Sequence, residues 1–137
     1  MGALVLSEGP RYRGRRLGDL EVIDVTWSEW SAGHLRTRRA RYPDDQDELD
    51  IEPEWASEAA LDPERWLSVT KENDLRATGW SLHAHPATWS HRRGRVLRVV
   101  LKPIDIDDGY WSGVTAAPAS REAAERYWRR RRSFGAA

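Results

Sequence analysis

The sequence predicts an α+β fold in a single domain. A small antiparallel sheet of about four strands packs against helices, in the order β-α-α-β-β-β-α. Three observations carry this. The late segments 79–85, 95–102 and 109–115 alternate apolar and polar residues with period two. Helix-start signals stand at Thr26, Pro53 and Ser120. The chain has 137 residues, 39% of them hydrophobic, which suits one sizeable core.

Residues 1–18 hold four Gly, four Arg and one Pro without a period, so a loose N-terminal arm is expected before a domain spanning 19–132. Residues 133–137 are expected to be a tail. The first strand is LEVIDVT, residues 20–26, rich in β-branched side chains. Thr26 and Glu29 then form an S/T-x-x-E capping box, with Val25 and Trp30 as its hydrophobic staple. Trp27, Trp30, His34 and Arg38 follow along one side of that helix, which should end near Arg39–Arg41, before Pro43. The acidic run 44–50 is a loop. A second helix covers about 53–61, with Pro53 in its first turn and Ile51, Trp55 and Ala59 facing inward.

Segment 62–77 is ambiguous, and Trp66, Leu67 and Val69 are expected to cover the core edge. In the first late strand Trp80, Leu82 and Ala84 oppose Ser81, His83 and His85. In the next, RVLRVVLK, Leu97, Val99 and Leu101 oppose Val96, Arg98, Val100 and Lys102. An Asp-Asp-Gly turn precedes GYWSGVT. Ser120 caps a last helix whose inner face is Ala124, Tyr127 and Trp128, and whose terminal Arg run suits the helix dipole.

The charge is unevenly spread. The net charge is zero, yet residues 44–64 hold ten acidic residues and no basic one. The rest holds 22 basic and 12 acidic residues, and 20 of those cations are Arg. That remainder has the character of a polyanion binder, because Arg forks match phosphate bidentately. Biased base composition enriches Arg equally well. There is no cysteine, hence no disulfide and no thiolate chemistry. No apolar run approaches the ~18 residues of a membrane span, and the N-terminus does not read as a signal peptide, so a cytoplasmic protein without a membrane partner is expected.

Several local patterns resemble the BrnT family, within the broader RelE/ParE-like toxins. One is VTWSEWSAGHLRTRR, a strand and a helix with His34 and Arg38 as H-x-x-x-R. A second is IEPEWASEAALDP, a short helix running into a D-P step. The third is the chain's end: RVLRVVLKP, YWSGVTAAPAS and REAAERYW. The likeness covers about residues 20–130. It implies a RelE/BrnT-like fold and a metal-independent endoribonuclease that blocks translation by RNA cleavage, without a cofactor. It also implies a cognate, DNA-binding antitoxin as protein partner and RNA as substrate, and leaves a homodimer open. Family members commonly carry a basic pair where this chain has Ala117-Pro118, and the acidic loop has the look of an insertion. These departures favour an alternative: a toxin-fold module without catalysis that binds a protein or nucleic acid.

Metal-free RNA cleavage needs proton transfer and cations around the phosphorane. His83, His85, Arg98 and Lys102 are the expected catalytic group, on one strand face with Ser81. The competing reading is a solvated strand face. His34, Arg38, Arg39, Arg92, Arg93 and Arg95 are the expected RNA- or phosphate-binding residues. Against that stand a half-buried His34 beside Trp30 and a solvated turn over 91–95. His83 and His85 alternate as zinc ligands do, but no third ligand has suitable spacing, so no metal is expected. Of the eight Trp, most fall on inner faces, and Trp89 and Trp111 are the better surface candidates for base stacking.

Overall fold

The computed structural model describes residues 10–46, 48–84 and 94–135. A hairpin opens it, β1 (Arg11–Tyr12) with β2 (Arg15–Arg16), followed by a 3-10 turn at Leu17–Asp19. Then come β3 (Asp24–Thr26), α1 (Glu29–Arg36), α2 (Arg38–Arg41) and α3 (Pro53–Ala60). β4 (Trp66–Val69), β5 (Leu75–Ser81), β6 (Arg95–Asp105), β7 (Tyr110–Pro118) and α4 (Arg121–Gly135) complete the chain.

The class is α+β, and the sheet differs from the expected one. It has five strands in the order β3-β7-β6-β5-β4, and it is mixed rather than antiparallel, because β3 runs parallel to β7. The fifth strand is β4, in the ambiguous segment. Of the expected strand 20–26 only the last three residues, β3, pair; Leu20 and Val22 are buried without joining the sheet. The expected strand over 79–85 also moves back: β5 begins at Leu75 and ends at Ser81. The helix that follows β3 starts two residues late. Ser28, not Thr26, is its cap, and Ser28 Oγ accepts the Ser31 amide at 3.0 Å.

Where the expected loose arm is described, it is structured. Tyr12 is fully buried, with its ring centroid 5.9 Å from that of Trp111. Trp111 is therefore core, not surface, and its indole N–H donates to Glu21 O at 2.8 Å. Trp89 lies outside the described residues. The helix α4 runs to Gly135, into the expected tail.

One face of the sheet is the core. Leu75, Ala77, Leu97, Val99 and Leu101 are fully buried there, with Ala56, Ala59 and Ala60 of α3 in the same cluster. The helix presses hardest on Gly79. A β-carbon at that position would stand 1.9 Å from the carbonyl oxygen of Ala59, so only glycine permits this approach. Trp27 leaves the helix altogether: its ring lies over Gly113, and its indole N–H donates to Ser57 Oγ at 2.9 Å. The α1 residues that turn inward are Ser31, Ala32 and Leu35, and Trp30 points out, 73% exposed. Trp27 thus packs against the core as an inner-face Trp should, and Trp30 does not.

Candidate functional site: a cationic cleft on the open face of the sheet

The opposite face carries charge. Strand register sets Arg76 beside Val100, which in turn neighbours Thr115, and Arg98 between Thr78 and Ala117. Arg76 and Arg98 are thus diagonal neighbours on adjacent strands, a spacing of about 7–8 Å at which like charges repel unless something anionic lies between or near them. His34, Arg38 and Tyr42 reach this face from α1, α2 and the chain just beyond. Together with Thr70, Arg76, Arg98, Val100 and Thr115 they line a cavity of about 270 Å³. A larger cavity of about 520 Å³ adjoins it, sharing Arg98 and Ala117 and adding Arg95, Arg121, Asp45 and Glu48.

The acidic segment meets this cleft through Asp45 and Glu48. Arg38 Nε donates to Glu48 Oε1 at 2.7 Å and Nη2 to Oε2 at 3.2 Å, a two-pronged pair. Its side chains are only 10% and 7% exposed. The Arg38 guanidinium also lies over the Tyr42 ring, 5.2 Å from its centre. Burial alone would raise the Glu48 carboxyl. The bonds from Arg38 and the Leu49 amide, and the charges of Arg38 and Arg98, hold it below the usual range instead.

His34 is half-buried and its ring stacks on Trp30, 4.9 Å between centroids and 14° between planes. Burial first, then the charges of Arg41 and Arg38, hold the imidazole below its ordinary pKa. It is therefore neutral at neutral pH and keeps a lone pair for a proton.

The expected catalytic group does not come together. Arg98 lies in the cleft. Lys102 is exposed on the same strand but lines neither cavity, four residues or about 13 Å further along. His83 lies past the end of β5, on the α3 side of the sheet. Its Nδ1 is 2.8 Å from Glu58 Oε2, and its amide donates to Glu58 Oε1 at 3.4 Å. Ser81, expected on the cleft face, is fully buried on the core face of β5 with Leu75, Ala77 and Gly79, so the alternation of that strand already points away from Arg98, and His83 beyond it falls on the α3 side. His85, Arg92 and Arg93 lie outside the described residues. Of the expected phosphate-binding residues, His34, Arg38 and Arg95 meet Arg98. Arg39 stands apart, its backbone N–H donating to Asp50 Oδ1 at 2.8 Å.

Arg76, not among the expected site residues, donates from Nε to Ser68 Oγ at 3.0 Å while lining the cleft. Its alternation with buried Leu75 and Ala77 is the signal that could have found it. Among the described residues, no group of three or more His, Asp or Glu is arranged to hold a metal ion. No helix among them is long and apolar enough to cross a membrane. Comparison with protein-family models, with curated proteins and with solved structures gives no match to this chain.

Proposed function

We propose that this chain is a toxin-like, BrnT-type RNA-binding protein that holds a phosphodiester backbone in the cleft lined by His34, Arg38, Arg76 and Arg98. The observation that carries the reading is the convergence of Arg38, Arg76 and Arg98 with His34, from a helix pair and two strands, on one concavity of the open sheet face. Arg98 and Arg76 would take phosphate oxygens, Tyr42 and Thr115 supply hydroxyls, and the Glu48 carboxylate already occupies the fork of Arg38 as an anion would. A cognate antitoxin would compete for the same cleft.

Cleavage is the second reading, and neutral His34 beside three arginines favours it. His34 would accept the 2′-hydroxyl proton, and Arg98 and Arg76 would stabilise the phosphorane charge. This moves the candidate base from His83 to His34.

Anisotropy of a labelled single-stranded RNA, measured across salt concentrations, tests binding. Kd should rise steeply with salt. Arg98→Ala and Arg76→Ala should each weaken binding several-fold and lower the salt slope by about 0.7. Salt-independent binding, or none by the folded parent, refutes the reading. If the chain also cleaves, His34→Ala should lower cleavage far more than it lowers binding.

A further inference from the structure

Trp30 is the most exposed large hydrophobic side chain among the described residues, at 73%. It sits on a helix whose buried residues are Ser31, Ala32 and Leu35, so the fold itself does not use its indole. The ring is nonetheless oriented. One face stacks on His34, nearly parallel at 14°. His34 in turn lines the cavity with Arg38, Arg76 and Arg98. A flat aromatic surface therefore stands one ring beyond a cationic wall.

That juxtaposition has a chemical meaning. A nucleotide presents a flat π-system one sugar away from its phosphate. A phosphate held by Arg98 or Arg76 leaves its neighbouring base within reach of the cleft's rim. Bases stack on indoles whatever their sequence, because each has a π-face. A base inside a duplex has both faces covered by its neighbours and cannot use such a platform. We infer that the Trp30–His34 stack is a nucleobase platform, so that the cleft takes a strand with an unpaired base beside the held phosphate. The inference rests on the nucleic-acid reading and adds the base-binding element to it.

The test compares two ligands of equal length and charge: a short single-stranded oligoadenylate and an abasic strand with the same phosphates. The parent should bind oligoadenylate more tightly. Trp30→Ala should cost about 5- to 100-fold on oligoadenylate and leave the abasic strand unchanged. Trp30→Phe, which keeps a ring, should restore most of the loss. Because the side chain is largely in water, both variants should fold with the parent's circular dichroism and melting temperature. Arg98→Ala, in contrast, should weaken both ligands alike. Unchanged binding of oligoadenylate by Trp30→Ala overturns the platform, and so does an equal loss on both ligands. Failure of the folded parent to bind either strand overturns the nucleic-acid reading, and the platform with it.

Discussion

Replacing Glu48 by Ala should be among the costliest single changes in this chain. The carboxylate is 7% exposed, and its partner Arg38 is 10% exposed, so solvent screening offers little relief. Removing the acid strands a buried guanidinium whose Nε and Nη2 both lose their acceptor. Breaking such a pair from one side costs about 3–5 kcal/mol. For a domain of this size that lowers the melting temperature by about 10–20 °C. The sign with pH follows from the depressed carboxyl. The pair's stabilisation is fully present above the unfolded pKa of about 4.3 and is lost as pH falls towards the lower folded value. Urea unfolding of the parent and Glu48→Ala at neutral pH, repeated through the acid range, measures both effects. The gap between the two proteins should close as the medium is acidified. The double variant Arg38→Met/Glu48→Leu should recover most of the loss, since burying a pair is hardly better than burying well-packed apolar groups. A loss below about 1 kcal/mol for Glu48→Ala would refute the view that this pair is buried and tightly held.

Other outcomes follow from the same structure. Gly79→Ala should destabilise by about 3 kcal/mol or more, read from the urea midpoint, because its β-carbon collides with backbone at Ala59 rather than with a movable side chain. Tyr127 donates its hydroxyl to Asp62, whose Oδ2 also accepts the Trp80 amide at 2.9 Å; Tyr127→Phe should cost about 1–2 kcal/mol. Burial, then the bond and charge of Asp62, raise the Tyr127 phenol, so an alkaline absorbance titration should show one tyrosine of the folded protein still protonated well above about pH 10. Asp45→Asn should raise affinity for single-stranded RNA a few-fold at low salt and have no effect at high salt, because Asp45 shares a cavity wall with Arg95 and Arg98. An unchanged low-salt affinity would remove the acidic loop from any role in tuning the cleft.

How much was legible beforehand depended on the range of the forces involved. Local signals placed α3 at Pro53, the cap of α4 at Ser120 and the alternation of Leu97, Val99 and Leu101 against Arg98. Each rests on backbone sterics or on neighbours a few residues away. Thr26 and Ser28 both qualify as caps in sequence, and in the fold Ser28 caps α1 while Thr26 pairs in β3 and Trp27 packs on Gly113. His83 does not share a face with Arg98 because Ser81, although polar, lies on the core face of β5 with Leu75, Ala77 and Gly79, and Glu58 of α3 binds His83 just beyond it through its amide and ring.

By itself, then, the sequence determined the α+β class, most of the helices, the core face of β6 and the opposed charges of residues 33–50. Those properties follow from periodicity, capping and composition, which act within a few residues. Only the tertiary structure decided that β3 pairs in parallel with β7, that Tyr12 and Trp111 meet in the core, and that the acidic run folds back so that Glu48 grips Arg38. It also decided which cations share a cleft: Arg76 and Arg98 are 22 positions apart in the chain, and only the antiparallel register of β5 with β6 brings them together beside His34. Coulomb forces and packing act through space, and the order of residues along a chain does not state which of them will be neighbours there.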